Sequence, residues 1–276
     1  MGVFQQSQTV PPEQRAKVIG IVNQKGGVGK TTTAVNLSAS LATMGRKTLL
    51  VDFDPQGNSS SGVGVSAKEE DTTIYDVISG NAPLSDSIRN VYPDFFEGNF
   101  DITPANSSLT GAEVEMVSVE CREFVLKHAL KDAADSYDYV IIDCPPSLSI
   151  LSINALAAAD SVIIPIQCEY YALEGLAHIS KTISLVRRRI NPLLKVEGCL
   201  LTMFDTRNNI CHAVARETRS HFGGDAFDTV ISRTVRLAEC PSHGKPLVIY
   251  DKNSQGARDY MSLAGEIIKK TGGVSG

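Results

Sequence analysis

Lys25-Gly26-Gly27-Val28-Gly29-Lys30-Thr31-Thr32-Thr33 follows the apolar run Val18-Ile19-Gly20-Ile21-Val22 and precedes the apolar-periodic segment Ala34 to Leu41. Strand, glycine-rich loop and helix in that order form the context of a phosphate-binding loop. Glycines let backbone N–H groups turn inward around phosphate oxygens, where side chains would block approach. A helix beginning near Lys30 aims the positive end of its dipole at the same oxygens. Lys30 is placed to reach β- and γ-phosphates, and the Thr31 hydroxyl to ligate Mg²⁺. A purely structural turn needs glycines but has no use for the lysine and threonines that follow them.

The loop departs from the usual G-x-x-x-x-G-K-[ST] pattern. Position 24, where that pattern has glycine, is Gln24, and a second lysine, Lys25, opens the loop. Taken alone, Lys25 reads as a solvated loop lysine.

Asn23-Gln24-Lys25-Gly26-Gly27-Val28-Gly29-Lys30-Thr31-Thr32-Thr33 resembles the deviant Walker A box of the ParA/Soj/MinD ATPases. Further matches are Val51-Asp52-Phe53-Asp54-Pro55-Gln56-Gly57-Asn58 and Ile141-Ile142-Asp143-Cys144-Pro145-Pro146-Ser147. Gln167 to Gly175 (QCEYYALEG) and Val235 to Pro246 (VRLAECPSHGKP) extend the likeness, which covers roughly residues 17 to 270 and is nearest to the Soj-type ParA proteins. The resemblance implies ATP and Mg²⁺ as cofactors, with Lys25, Gly26, Gly27, Val28, Gly29, Lys30, Thr31 and Thr32 around the nucleotide. It implies that Lys25 reaches the phosphates bound by a partner subunit, so that two ATP molecules are sandwiched in a symmetric, ATP-dependent homodimer.

Asp52-Phe53-Asp54 ends an apolar run, and strand alternation puts the two carboxylates on one face. Asp54-Pro55 alone could simply start a turn. The resemblance gives Asp54 the attacking water to orient, with Asp52 behind it. Asp143 closes the run Tyr139 to Ile142, the position of a Walker B carboxylate that holds Mg²⁺ directly or through its waters. The competing reading is a cap before Pro145. Thr31, Asp54 and Asp143 are therefore the expected metal site, and Lys25, Lys30 and Asp54 the expected catalytic set. Cys144 stands where many fast ATPases place a glutamate base. Catalysis then rests on charge neutralisation and water positioning, which predicts slow intrinsic hydrolysis.

The chain has 276 residues, 42% of them hydrophobic, enough for one α/β domain with a buried sheet. Apolar runs predict strands at Val18–Val22, Thr48–Phe53, Phe100–Thr103, Tyr139–Ile142, Ser161–Ile166 and Val196–Met203. Helical periodicity spans Thr32–Met44, Ala112–Ala134, Ile150–Ala158, Ala172–Arg189 and Ile210–His221. This alternation predicts a mostly parallel twisted sheet with helices on both faces, a P-loop NTPase architecture over residues 17–271. Residues 1–16 and 272–276 read as tails, the first too short for the sequence-specific DNA-binding domain of larger plasmid relatives. Ser59 to Asp71, rich in Ser, Gly and charge, reads as a mobile loop. Six scattered cysteines without metal or redox spacing read as mostly buried, reduced thiols of a cytoplasmic protein.

The net charge of −5 argues against a globally basic nucleic-acid binder, but the halves differ. Residues 201–276 hold ten Lys+Arg against eight Asp+Glu, while the first 200 hold 16 against 23. Arg207 and Arg236 match positions that contact DNA in Soj-type relatives. A few phosphate contacts per subunit, doubled by dimerisation, predict nonspecific, salt-sensitive binding to double-stranded DNA and association with the nucleoid. Arg187-Arg188-Arg189 reads as the cationic end of a helix. The resemblance adds a ParB-like centromere-binding partner that triggers hydrolysis and release. The alternative is a MinD-like ATPase at the membrane surface, which needs a basic amphipathic helix beyond the core. The last periodic segment, Tyr260 to Ile268, reads instead as a core-packing helix, so no membrane is expected. Cys121 and Cys144 lack the flanking glycines of the iron–sulfur reductases that share this loop. No tyrosine cluster marks a kinase tail.

Overall fold

Alternation of apolar residues decides which way each strand faces. Val18, Val140, Ile142, Val162 and Ile164 point to one side of the sheet, and Ile19, Ile21, Ile141 and Ile163 to the other, all buried. A sheet with two apolar faces must be covered twice, and the computed structural model, which describes residues 15–131, 133–169 and 172–271, shows that it is. The expected tails, Arg15 and Ala16 apart, and Tyr170-Tyr171 of the family match lie outside the described residues.

In chain order the elements are β1 (Lys17–Ile21), α1 (Lys30–Thr43), β2 (Thr48–Asp52), α2 (Asn58–Gly62), α3 (Ile74–Ile78), α4 (Leu84–Ser87) and β3 (Arg89–Asn90). Then come β4 (Phe100–Thr103), α5 (Leu109–Glu115), α6 (Val125–Ala129), β5 (Tyr139–Asp143), α7 (Ile150–Ala158), β6 (Ser161–Gln167) and α8 (Ala172–Arg189). The chain closes with β7 (Lys195–Phe204), α9 (Asn209–Phe222), β8 (Ala226–Ser232), α10 (Val235–Glu239), α11 (Leu247–Tyr250) and α12 (Gln255–Lys270). The eight strands lie in the order β3-β4-β2-β5-β1-β6-β7-β8. All pairs are parallel except β3 with β4. This is the predicted architecture.

α1 lies on one face with α11 and α12. Ala34, Leu37 and Leu41 pack with Leu50, Ile141, Tyr260 and Leu263. Full burial of a leucine such as Leu37 stabilises the fold by about 1.5–3 kcal/mol. α7 and α8 cover the other face through Leu151, Ala155, Ile179 and Ile183. As expected, α12 is a core-packing helix, with Tyr260, Leu263, Ala264 and Ile267 buried. Among the described residues no helix is long and apolar enough to cross a membrane.

The chain leaves β1 toward β2 on one side of β5, while β6 flanks β1 on the other. That is a topological switch point, where open parallel sheets bind ligands beyond their strand ends. The glycine-rich loop follows β1 there. Asp52 and Asp143 stand in register at the ends of β2 and β5, and Ile21 at the end of β1 is paired with Asp143.

Two expectations fail, and an edge strand was not foreseen. The continuous helix over 112–134 is broken into α5, α6 and short 3₁₀ turns at Met116–Ser118 and Arg122–Phe124. Val114 and Val117 face solvent, and Cys121 sits at φ 53°, a left-handed conformation that no helix continues through. Ser59 to Asp71 is not wholly a loop: α2 occupies its start, with Ser59 and Ser60 fully or almost fully buried. β8 was not foreseen, because an edge strand with only Phe227 and Ile231 fully inward lacks a continuous apolar run.

Candidate nucleotide-binding site

The loop between β1 and α1 has the backbone its glycines allow. Gly27 and Gly29 take φ values of 74° and 89°, which β-carbon-bearing residues rarely adopt. A β-carbon on Gly26 or Gly27 would meet no atom within 4 Å, so the loop rims open space. Gly29 is the N-cap of α1 and offers no side chain to its first N–H groups, and the first turn holds no acidic residue. These N–H groups have no intrahelical acceptor, and with the dipole they make this end an anion site.

Lys30 is buried, and its Nζ donates to the Lys25 carbonyl at 3.1 Å. Burial lowers its pKa, opposed by the charges of Asp143, Cys144 and Asp54. A buried ammonium folded onto a backbone carbonyl suits a group that later bonds phosphate oxygen. Val28 is buried, and its carbonyl accepts from the Thr202 hydroxyl at 2.9 Å, tying the loop to β7. Asn23 fixes the loop's entry: its Nδ2 donates to the Pro165 carbonyl at 2.7 Å, and its Oδ1 accepts from the Lys25 N–H at 3.0 Å.

The carboxylates converge as expected. Asp143 is fully buried; its Oδ2 accepts from the Ser59 hydroxyl at 2.8 Å, while its Oδ1 is buried without a hydrogen-bond partner. Asp52, also fully buried, accepts at Oδ2 from the Ser60 N–H at 2.7 Å and the Ser60 hydroxyl at 2.6 Å. Burial drives both pKa values upward; the neighbouring charges of Asp52 and Asp54 push Asp143 further, and the Ser59 bond and the nearby Thr31 hydroxyl oppose the rise. Asp54 lies in a turn in which its Oδ1 accepts from the Gln56 N–H at 3.0 Å. The orphaned Asp143 oxygen and the Thr31 hydroxyl near it are oxygen donors of the kind a hard divalent cation takes, although no group of three or more His, Cys, Asp or Glu among the described residues is spaced to hold a metal by itself. Cys144 is buried and its thiol pKa is driven up by burial, so it offers no thiolate base.

Beside the first turn of α1 lies a hollow of about 290 Å³ walled by Gly29, Thr32, Met203, Ser232, Arg233 and Tyr260, among others. Met203 holds φ 52° there.

Lys25 is ion-paired in its own chain with Glu169. Arg207 forks onto the Asp205 carboxylate at 2.9 and 2.8 Å and holds that carboxyl well below its usual range. Arg236 pairs with Glu239 at 3.1 Å and Asp251 at 3.5 Å and lies over the Tyr250 ring. Both arginines follow neighbouring strands, Phe204 pairing with Ser232, and so share the sheet edge that carries the loop. Arg187 donates to the Leu194 carbonyl just past α8, in keeping with the helix-end reading.

The sequence reading missed Ser59, Ser60, Gln24 and Glu169. Gln24 Nε2 donates to the Thr182 hydroxyl at 2.9 Å, which explains a large side chain where a glycine is usual. The available signal for the serines was Gly57, three residues after Asp54, which at φ 61° is the N-cap of α2.

A family profile described as an AAA domain matches residues 16–196. The chain is 52% identical over 254 residues to the chromosome partitioning protein ParA of Myxococcus xanthus, covering 92% of this chain and 88% of that protein. It is 50% identical over 251 residues to the sporulation initiation inhibitor protein Soj of Bacillus subtilis, covering 91% and 98%. The chain belongs to the ParA/Soj family of P-loop ATPases. Among solved structures, cobyrinic acid a,c-diamide synthase of Mycobacterium smegmatis with bound ADP and magnesium superposes with a TM-score of 0.80 at 34% identity, over 94% of this chain and 96% of that one.

Proposed function

We propose that this ParA/Soj-family chain is an ATP-dependent switch for DNA partitioning: ATP binding drives a sandwich dimer, the dimer binds duplex DNA without sequence preference, and hydrolysis releases it. The observation that carries the reading is the convergence of Lys30, Thr31, Asp54 and the orphaned Asp143 oxygen at one sheet edge, two neighbouring strand ends of which bear Arg207 and Arg236. The name of the Myxococcus xanthus relative, 52% identical over most of the chain, supports the partitioning role.

In this reading the Gly26–Gly29 backbone and the N-terminus of α1 hold the β-phosphate, and Lys30 turns from the Lys25 carbonyl to the β- and γ-phosphates. The hollow beside Met203 and Ser232 takes the base. Thr31 and Asp143 would hold Mg²⁺, with Asp54 close by, and its chemistry there is neutralisation of phosphate charge. Asp54 orients the water whose oxygen bonds to the γ-phosphorus as the bridging oxygen leaves on ADP. No strong base adjoins Asp143, so unassisted turnover is slow, and a ParB-like partner sets the release rate. Lys25 reaches across to the other subunit's phosphates. The protein works in the cytoplasm on the nucleoid, without a membrane.

Fluorescent ATP-analogue binding and phosphate release, with and without Mg²⁺, test the site. Lys30→Ala is expected to weaken binding by more than about tenfold. Asp54→Ala is expected to keep binding and lose about a hundredfold in turnover. Wild-type turnover in Asp54→Ala would move the water-positioning role elsewhere, and a wild type that binds no ATP would end the ATPase reading.

A further inference from the structure

Lys25 can pair with Glu169 of its own chain or, in the proposed sandwich, with the phosphates of the other subunit. Residues at the start of the loop are pinned to the same part of the fold that carries Glu169. Asn23 is bonded to Pro165 in β6 and holds the Lys25 N–H, and Gln24 is bonded to Thr182 in α8. Glu169 lies between these anchors, in the connection from β6 to α8. The Lys25 ammonium meets the Glu169 carboxylate in a pair with side chains 40% and 37% exposed.

We infer that Glu169 is a positioning residue that holds Lys25 within its own subunit, so that breaking this pair opposes dimer formation. The inference rests on the sandwich reading proposed above. Half-exposed ion pairs are weak, which suits a threshold rather than a block. Two pairs break per symmetric dimer, so their effects multiply.

Monomer–dimer equilibria of the full chain measured by sedimentation with Mg²⁺ and ATPγS provide the test. Glu169→Gln is expected to lower the dimer dissociation constant by about fivefold, with the gain shrinking at high salt. Lys25→Ala should fail to dimerise, and adding Glu169→Gln to it should restore nothing, because the effect runs through Lys25. ATPγS affinity of the monomer should be the same in wild type and Glu169→Gln. Weaker dimerisation of Glu169→Gln would overturn the inference and make Glu169 an interface contact. Unchanged dimerisation would overturn it equally.

Acylation of Lys25 in the nucleotide-free monomer, read by peptide mass spectrometry, gives a second readout. Glu169→Gln should label faster than wild type, and equal rates would show that the pair does not hold the lysine. A wild type that stays monomeric with ATPγS while Lys25 remains protected through Glu169 would sink the sandwich reading. The opposing role of the pair would fall with it.

Discussion

Asp143 and Asp52 sit side by side at two strand ends, fully buried, with serines satisfying only part of their oxygens. In the nucleotide-free protein these carboxylates are a cost, because burial and mutual repulsion disfavour ionisation. Their folded pKa values lie above the unfolded value of about 4, so the folded state binds more protons than the unfolded chain between the two. Stability from this pair is complete below the unfolded pKa and is lost as pH rises through the folded pKa toward neutrality. Asp143→Asn should therefore stabilise the nucleotide-free protein at pH 8 by roughly 1–3 kcal/mol and flatten its rise in stability toward pH 5, as read by urea unfolding. Excess Mg²⁺ and ATP should reverse the order, since ligand stabilises only a chain that binds it. A variant less stable than wild type at pH 8 without ligand would show that the pair is already neutralised. The placement of Lys30, Thr31, Asp54 and Asp143 at one edge was legible because a loop motif and strand ends fix it. Ser59 and Ser60 were not, because a serine-rich stretch looks the same whether its hydroxyls face water or buried carboxylates.

Among the elements, the central strands were legible almost to the residue, since a parallel strand buried on both faces leaves an uninterrupted apolar run. β8 and the broken helices between β4 and β5 were not, because their packing is one-sided and Val114 and Val117 are spent on the surface. What locks the edge strand is invisible in a pattern of apolar residues. Gly198 in β7 lies under the ring of Phe227 in β8, and a β-carbon there would stand 2.5 Å from the ring's nearest carbon. Phe227 is buried, so the ring cannot swing into solvent. Gly198→Ala should destabilise the fold by about 1–3 kcal/mol, measured by urea unfolding, and weaken the hollow between the ends of β7 and β8. Wild-type stability in that variant would mean that β8 shifts freely against β7. That would undermine the base pocket assigned to this edge.

At the scale of the whole molecule, one sheet edge carries the phosphate-binding loop, the carboxylates and the arginines that follow β7 and β8. Arg207 and Arg236 are each paired with carboxylates of their own chain, so one subunit presents little free positive charge through them. In the proposed sandwich, two subunits joined by nucleotide would double the contacts on one duplex, and affinity would then rise far more than twofold. The family resemblance made the ParA/Soj class and its fold legible as a whole. The local neutralisation of its arginines was not legible, because it depends on which acidic side chains the loops bring near. The direct test is binding to nonspecific duplex DNA with ATP, ADP or no nucleotide, at low and raised salt, for wild type and Arg236→Ala. The account predicts binding with ATP alone, steeply weakened by salt and reduced in Arg236→Ala. Equal binding in all three nucleotide states, or none in any of them while ATP still drives dimerisation, would contradict it.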